Sequence, residues 1–398
     1  MKILFVASLY YPHVGGIETV IKELSRRYRD QEIDVCVLTK KYPYDLEEHS
    51  HIDGVDVYRV KPAKTLEDFE EVSGIVKSIE DALKADIIHV IGLRKPLGIF
   101  ALALARKWGV PLIVSVAGGE LPELGDESSQ MIWKESEEIA SEVVLQADRN
   151  VTFSEDLRKL IHENVSQDVE VDIVHAGVDL DAVEAVAPIV YEFPFIFSCR
   201  RLVWSKGVDI AVEAFSRVAT DFPKVHMIIA GEGEEYGNLT QLVNHYNLTD
   251  RVKFLGTISL EESIGWLKSA NFTVVPSRAE GGGLINIEAQ ACGCPVIGSR
   301  AAGIAEYTKE NETSLLFDVG EVDGCFLKMR ALLSDEKLQQ SLSENGKIYA
   351  KEFSWDNIAS EYLSIYQKYI IEIRRKKQTF RSWSDESKIV WNIINREM

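Results

Sequence analysis

The sequence predicts an α/β protein with two parallel-sheet domains, and three observations lead to this prediction. Short apolar, β-branched runs alternate with longer amphipathic segments from the first residues onward, as in a parallel sheet covered on both faces. The alternation begins again at Phe195, after a segment that contains proline and acidic residues. Glycine-rich turns follow several of the predicted strands, at the edge where open α/β sheets bind ligands.

The first half of the chain has a regular strand and helix pattern. Predicted strands cover residues 3–7, 33–38, 55–60, 86–91, 111–116 and 150–153, and predicted helices cover residues 17–29, 67–83 and 97–108. The loop after the first strand contains His13, Gly15 and Gly16. Adjacent glycines let a ligand approach the backbone closely, although a tight turn alone would also use them.

Two further loops of the first half contain charged candidates. Arg94 follows the strand 86–91 and would suit an anionic acceptor, with a solvated loop charge as the favoured interpretation. Glu120 follows the strand 112–116, after Ala117 and two glycines. His89, inside the strand 86–91, is interpreted as a core histidine with satisfied hydrogen bonds.

The second half begins with an anion-binding pattern. Arg201 and Lys206 follow the strand 195–199 and precede a predicted helix at 208–219. The amino end of a helix carries free N–H groups and a positive dipole end, so two cations beside it would complete an anion site. Read alone, the pair is better explained as solvated charge.

A glycine turn near residue 280 is the most informative stretch. It follows the apolar strand 272–275 and leads into a predicted helix at 284–291, whose first N–H groups, near Gly283, Leu284 and Ile285, would hold a phosphate. Glu280 lies in the turn and Glu288 lies inside the helix. A carboxylate between apolar neighbours, such as Glu288, requires a partner.

Composition excludes several classes of protein. The chain has 398 residues, enough for two or three domains of about 150 residues each. Its net charge of −19 argues against a nucleic-acid-binding protein. No apolar run approaches the roughly 18 residues of a membrane span. Cys292 and Cys294 have no second Cys or His pair nearby, so reduced thiols in a cytosolic protein are expected rather than a zinc site.

The stretch 276–296 resembles the two-glutamate motif of the retaining, nucleotide-sugar-dependent glycosyltransferases of the GT-B fold, the group 1, family four type. Arg201-Leu202 with Lys206-Gly207 resembles the family's diphosphate-binding pattern, and 15–18, Gly-Gly-Ile-Glu, resembles its amino-domain motif. Two positions depart from the family: Gly282 stands where an aromatic residue is usual, and Ala117 where many members have a histidine or another polar residue.

The resemblance implies two Rossmann-like domains that face each other across a cleft. It implies an acceptor-binding domain at 1–185, a nucleotide-sugar-binding domain at 190–352, and helices at 353–398 that pack back on the first domain. The segment 181–194 is expected to be the linker and hinge. Tyr362, Tyr366 and Tyr369, at helical spacing, are interpreted as core packing.

The resemblance also implies a role for each candidate residue. Glu280, Arg201 and Lys206 would act in catalysis, and His13, Arg94 and Glu120 would bind the acceptor. The donor, a UDP-, GDP- or ADP-linked sugar, would contact a larger set: Gly15, Gly16, Arg201, Lys206, Leu255, Glu280, Gly283, Leu284, Ile285 and Glu288. The acceptor would be a hydroxyl of a glycan or lipid-linked molecule, and no metal ion or other cofactor is expected.

Two other functions remain open on sequence grounds. One is a nucleotide-sugar epimerase or a hydrolase of the same fold that uses a carboxylate pair. The other is a non-catalytic nucleotide-sugar-binding subunit, which Ala117 and Gly282 make conceivable. The expected location is the cytoplasm. The basic cluster at 374–377 adds the hypothesis of peripheral contact with an anionic inner membrane surface, although a solvated helix face is the favoured interpretation.

Overall fold

The computed structural model describes residues 1–13, 15–63, 65–93, 96–118, 121–122 and 127–373. Within these ranges the chain forms two compact units. The first contains the described residues up to His175 together with those from Trp355 onward, and the second contains Ala176–Ser354. The basic cluster at 374–377 lies outside the described residues.

The first unit is an α/β layer built on an eight-stranded sheet in the order β3-β4-β2-β1-β5-β6-β7-β8. The strands are β1 Lys2–Ala7, β2 Asp34–Lys40, β3 His49–Ile52, β4 Val55–Val60, β5 Ile87–Ile91, β6 Leu112–Val116, β7 Arg149–Thr152 and β8 Val171–Ile173. The helices are α1 Gly16–Asp30, α2 Leu66–Ser78, α3 Glu80–Leu83, α4 Leu97–Trp108, α5 Glu127–Gln146 and α6 Glu155–Asn164. Most of these strands are parallel and buried, as the apolar runs predict.

Strand β3, at one edge of this sheet, was not predicted from the sequence. It pairs antiparallel with β4 at the sheet edge, so the sheet is mixed rather than wholly parallel. Its sequence, His-Ser-His-Ile, is polar and therefore lacks the apolar run used to predict strands. The two-residue turn Asp53-Gly54 has φ values of 48° and 77°, as a hairpin turn requires. Asp-Gly is a strong hairpin signal, and it was present in the sequence.

The second unit has a six-stranded parallel sheet in the order β11-β10-β9-β12-β13-β14. Its strands are β9 Phe195–Cys199, β10 His226–Ala230, β11 Val252–Phe254, β12 Phe272–Val275, β13 Val296–Ser299 and β14 Ser314–Phe317. Its helices are α7 Leu180–Ala185, α8 Val208–Asp221, α9 Tyr236–His245, α10 Leu260–Ser269, α11 Leu284–Ala291, α12 Ala302–Ala305, α13 Val322–Ser334 and α14 Glu336–Ala350, with 3-10 turns at Trp204–Lys206 and Lys351–Phe353. Apolar side chains from both faces of the sheet form its core.

The segment expected to be a linker is attached to the second unit. The Ile189 N–H donates to the Gly265 carbonyl at 3.1 Å, and the Ser269 hydroxyl donates to the Ile189 carbonyl at 2.6 Å. Lys268 Nζ donates to the Val186 carbonyl at 2.6 Å. Residues 186–189 are therefore fixed against α10, and the chain passes between the units at His175 and again at Ser354.

The last described helix, α15 Trp355–Ile373, returns to the first unit. Tyr362 and Tyr366 are fully buried and Tyr369 is buried, which confirms the core-packing interpretation of this stripe. The Tyr28 hydroxyl of α1 donates to the Ala359 carbonyl at 3.1 Å, and Arg27 Nε donates to Asp356 at 2.9 Å. Helix α15 is thus bound by apolar burial and by specific polar contacts.

His89 lies at the centre of this packing and is fully buried. Its Nδ1 lies 2.6 Å from the Tyr366 hydroxyl, and its Nε2 lies 2.7 Å from the Ser115 hydroxyl. The Ser115 hydroxyl is in turn 3.2 Å from that of Tyr362. Both ring nitrogens have partners, which confirms His89 as a core histidine. Burial lowers its pKa to about 3, because the charged imidazolium would lose its hydration.

Acid is expected to destabilise the first unit through His89. The unfolded chain takes up a proton near the ordinary histidine pKa of 6.5, whereas the folded chain stays neutral down to about pH 3. The contribution of neutral His89 to the free energy of unfolding is therefore fully present above pH 6.5. Below that pH it falls by about 1.4 kcal/mol per pH unit. Urea unfolding of wild type and His89→Gln between pH 7.5 and pH 4.5 measures this difference in slope. Equal slopes would contradict the assignment.

Candidate functional site

Two loops of the second unit lie together at the carboxyl edge of its sheet. One follows β9 and runs to Gly207, and the other follows β12 and runs to Gly283. The N–H groups of Arg278 and Ala279 donate to the Ser205 carbonyl at 2.8 and 3.2 Å. Arg278 also forms two hydrogen bonds to the Asp209 carboxylate, at 2.8 and 2.6 Å. The predicted anion loop and the predicted glycine turn are therefore joined.

Gly207 shows how closely these loops approach each other. It has a φ of 63°, and a Cβ at this position would lie 2.1 Å from the Pro276 carbonyl oxygen. A side chain there would therefore push apart the two loops that carry the candidate site. The glycine that follows Lys206 is required by both backbone conformation and space.

Replacing Gly207 by alanine is expected to destabilise the fold by several kcal/mol. Gly109, which ends α4 with a φ of 65°, supplies a matched control, because no atom of the described residues beyond its chain neighbours lies within 4 Å of a Cβ placed there. In Gly109→Ala the only expected cost is that of alanine in the left-handed backbone conformation, about 1 to 2 kcal/mol of stability. Gly207→Ala adds a severe contact with backbone atoms. Chemical denaturation of both variants tests this order, and equal losses would contradict it.

The Glu280 carboxylate lies in a cluster of donors. Lys206 Nζ donates to its Oε1 at 3.1 Å and to the Ala279 carbonyl at 3.3 Å. The Ser277 hydroxyl donates to its Oε2 at 3.0 Å, and Arg200 Nη2 forms an ion pair with the same oxygen. The charged side chains are almost buried, with exposures of 5% for Arg200, 11% for Lys206 and 10% for Glu280.

The electrostatics of this cluster favour an anion. Burial alone would raise the pKa of Glu280, but the charges of Arg200 and then Lys206 outweigh it and hold the pKa below its ordinary value. Glu280 is therefore an ionised hydrogen-bond acceptor rather than an acid. Two cations surround one carboxylate, so the cluster has a positive excess near the amino end of α11. An anionic group would reduce that excess.

Helix α11 begins beside this cluster with Gly283 as its N-cap and no side-chain cap hydrogen bond. Its bounds, Leu284–Ala291, are those predicted from the sequence. The Leu284 N–H donates to the Gly282 carbonyl at 3.0 Å, and the Asn286 N–H donates to Gly283 at 2.8 Å. These backbone bonds occupy the N–H groups of Leu284 and Asn286, and no side chain of the described residues caps this end of the helix.

Glu288 lies on the second turn of α11 in a less polar environment. Desolvation raises the pKa of its carboxyl group to about 7. The carboxyl group also adds to the raised pKa values of two thiols, after their own burial: Cys199 at the end of β9 and Cys292 at the end of α11. Part of the Glu288 residue remains exposed, although its carboxyl group is desolvated. Its environment differs sharply from that of Glu280.

Arg200 is the site residue that the sequence analysis missed. The candidate chosen from the sequence, Arg201, is exposed, whereas the side chain of Arg200 is buried against Glu280. The two residues are adjacent, and the family pattern indicates only the second. Both follow β9, so the predicted loop is the correct one while the contact to Glu280 comes from its neighbour.

Leu255 lies elsewhere along the same sheet edge. It is half-buried directly after β11, and its N–H donates to the Ile229 carbonyl at 2.9 Å. The next residue, Gly256, accepts a hydrogen bond from the Gly231 N–H at 2.7 Å. The turns after β10 and β11 are therefore connected, on the side of β9 opposite to β12.

Three candidates of the first unit lie between the end of β1 and the first turn of α1. Gly16 is exposed, and apart from its chain neighbours and its own helix backbone no atom of the described residues lies within 4 Å of a Cβ placed on it. His13 Nδ1 lies 3.0 Å from a Glu18 carboxylate oxygen, and the His13 side chain is 39% exposed while that of Glu18 is 6% exposed. Gly15 packs against the same carboxylate. Arg94 and Glu120 lie outside the described residues.

Over the described ranges, no helix is both long enough and apolar enough to cross a membrane. In the same part of the chain, the side chains of His, Cys, Asp and Glu form no group of three suited to hold a metal ion. All five cysteines are free thiols.

Comparisons with known proteins agree with this architecture. The family model described as glycosyl transferases group 1 matches residues 183–349, and the glycosyl transferase 4-like domain matches residues 15–177. An uncharacterized glycosyltransferase of Methanocaldococcus jannaschii is 27% identical over 378 residues, covering 92% of this chain and 98% of that protein.

Solved structures share the fold at low sequence identity. Sucrose-phosphate synthase from Thermosynechococcus elongatus aligns with a TM-score of 0.76 and 19% identity, covering 94% of this chain and 100% of the other. An Anabaena protein, HepE, in complex with UDP-glucose aligns with a TM-score of 0.72 and 18% identity, covering 92% and 100%. These similarities confirm the predicted fold class of two parallel-sheet α/β domains.

Proposed function

The chain belongs to the group 1 glycosyltransferases, and on that premise we propose that it transfers a sugar from a nucleotide-sugar donor to an acceptor hydroxyl with retention of anomeric configuration. The observation that carries the proposal is the cluster around Glu280. It brings together an ionised carboxylate, two buried cations and the uncapped amino end of α11. These groups suit a pyrophosphate joined to a sugar.

The donor diphosphate is assigned to the positive side of this cluster. Lys206, exposed Arg201 and the first N–H groups of α11, near Gly283, Leu284 and Ile285, would stabilise the charge that develops as the nucleotide diphosphate leaves. Glu288 would accept hydrogen bonds from the ribose hydroxyls, and the backbone near Leu255 would contact the base. That the Anabaena protein was solved with UDP-glucose supports a nucleotide sugar as the donor.

Glu280 is assigned to hydroxyls of the transferred sugar. Because its pKa is held low, it accepts hydrogen bonds and does not deliver a proton. In the proposed step the bond from the anomeric carbon to the phosphate oxygen breaks, and the acceptor oxygen forms its bond on the same face. The acceptor proton passes to the leaving phosphate oxygen. Atoms and charge balance without a protein base.

The acceptor is assigned to the first unit. Gly15 and Gly16 supply open backbone after β1, and His13 beside Glu18 supplies a polar ring in the same loop. Arg94 and Glu120 keep the acceptor roles proposed from the sequence. A glycan or lipid-linked hydroxyl compound would fit these polar groups. Cytoplasmic location remains part of the proposal. Contact with an anionic membrane surface stays the hypothesis raised by the basic cluster at 374–377, with a solvated helix face as the favoured interpretation.

Donor screening tests this function. Thermal unfolding is followed with UDP, GDP and ADP and their hexose conjugates, and release of nucleotide diphosphate is then measured with hydroxyl acceptors. One nucleotide family is expected to raise the unfolding temperature, and turnover is expected to require an acceptor. Diphosphate release at the same rate without acceptor would indicate a hydrolase or epimerase. Donor binding without turnover on any acceptor extract would indicate a binding subunit.

A further inference from the structure

We propose that Arg200 is a positioning residue that holds one oxygen of the Glu280 carboxylate, so that the other oxygen becomes available to the donor sugar when Lys206 turns to the diphosphate. This inference rests on the proposed function and deepens it. It assigns the two oxygens of Glu280 different tasks, and it gives a role to an arginine that the family pattern does not mark.

The contacts of the two oxygens are unequal. Glu280 Oε2 accepts from both Arg200 and Ser277, whereas the described contacts of Oε1 come from Lys206 alone, at 3.1 Å. A lysine ammonium is a compact charge on a flexible stem, and it can exchange a carboxylate for a phosphate. If Lys206 leaves, Oε1 loses its partner while Oε2 keeps both of its own. Oε1 is then the oxygen that can accept from a sugar hydroxyl.

The backbone of Arg200 is fixed, so its side chain is a stable anchor. Its N–H donates to the Ala230 carbonyl at 2.9 Å, which continues the pairing of β9 with β10. Its carbonyl oxygen lies so close to Gly231 that a Cβ there would be 1.8 Å away. The guanidinium reaches Glu280 from a rigid strand end. Lys206, by contrast, ends a single 3-10 turn.

The hydrogen bonding of Arg200 supports a role at Glu280. Its Nε and Nη1 atoms are buried and have no hydrogen-bond partner among the described residues. Burying a guanidinium whose N–H groups lack acceptors costs free energy of folding. A contribution to the stability of the fold therefore does not explain why Arg200 is buried. The contact it does make is with the carboxylate at the centre of the site. The ion pair keeps Glu280 ionised after Lys206 has moved.

Arg200→Gln tests the proposal, with the adjacent Arg201→Gln as the matched control. Arg200→Gln is expected to lower kcat by about 100-fold, because a misplaced carboxylate loses its alignment with the sugar. Affinity for the free nucleotide diphosphate is expected to fall by a much smaller factor, because Lys206 and the amino end of α11 remain. On the acid side of its pH profile, kcat of this variant is expected to fall at a higher pH than kcat of wild type, because Glu280 has lost a cationic partner. We call this fall of kcat the acid limb. Arg201→Gln is expected to weaken nucleotide binding without moving that limb. Arg200→Lys is expected to restore most of kcat and the wild-type limb.

A readout without turnover separates this proposal from the proposed function. The ¹³C shift of the Glu280 carboxyl, assigned by its loss in Glu280→Gln, is followed against pH in wild type and both Arg200 variants. The titration is expected to move to higher pH in Arg200→Gln and to recover in Arg200→Lys. An unmoved titration, or a loss of nucleotide affinity as large as the loss of kcat, would overturn the proposal. If Arg200→Gln fails to fold, Arg200→Lys decides: a wild-type limb supports the proposal, and a shifted one overturns it. Wild-type turnover alone decides the proposed function.

Discussion

Replacing Lys206 by alanine is expected to lower turnover by about 10²- to 10³-fold, because the buried ammonium that would meet the departing diphosphate is lost. The side chain is 11% exposed and already points to Glu280 and to the Ala279 carbonyl. Glu280→Gln should cause a similar loss, since an amide cannot replace the ionised acceptor. Release of nucleotide diphosphate at saturating donor measures both effects.

A surface lysine provides the control for this prediction. Lys224 is exposed in the same unit, and its replacement by alanine should leave turnover within twofold of wild type. Circular dichroism and thermal unfolding must show that the Lys206 and Glu280 variants are folded. If a folded Lys206→Ala protein turned over at a near-normal rate, the lysine would have no part in stabilising the leaving group.

Donor affinity is expected to depend on pH through Glu288. The pKa of its carboxyl group is about 7, raised by desolvation, so the group is ionised above neutrality and protonated below it. Only the carboxylate accepts hydrogen bonds at both oxygens from ribose hydroxyls. Affinity should therefore be full near pH 8 and fall as the pH drops through 7. Calorimetric titration with the nucleotide diphosphate between pH 5.5 and 8.5 measures it.

Glu288→Gln isolates the contribution of this carboxyl group. The amide cannot ionise, so affinity should be weak at every pH, and the part of the pH dependence due to residue 288 should vanish. Hydrogen bonds to a charged group contribute about 1.5 to 3 kcal/mol, which corresponds to a loss of roughly 10- to 150-fold at pH 8. A variant with wild-type affinity and wild-type pH dependence would remove Glu288 from the ribose site.

Sequence patterns predicted the elements that depend on continuous apolar runs. Helices α4 and α11 begin and end at the predicted residues, and the strands β1, β5 and β12 were all anticipated. In these stretches local preference and burial agree. The loops after β9 and β12 were also predicted to bind an anion, and the structure brings Lys206 of one into contact with Glu280 of the other.

Two kinds of contact could not be predicted from the sequence. In one, the partners are far apart in the chain, and in the other, only one of two neighbouring residues makes the contact. Nothing local distinguishes Arg200 from Arg201, because the difference is which of two neighbours points at a carboxylate 80 residues away. The partners of His89 likewise come from β6 and from α15, 277 residues later for Tyr366. Strand β3 is polar, so only its Asp-Gly turn indicates it.

The return of α15 has a consequence for the order in which the newborn polypeptide acquires its structure. A ribosome synthesises residues 176–354 before Trp355–Ile373, so the whole of the second unit leaves the exit tunnel while the first still lacks a helix. Until then the buried face formed around Tyr28 and His89 stays uncovered. The unit that is synthesised first is thus completed last. Premature termination near residue 354 would leave an exposed, aggregation-prone aromatic surface on an otherwise assembled sheet.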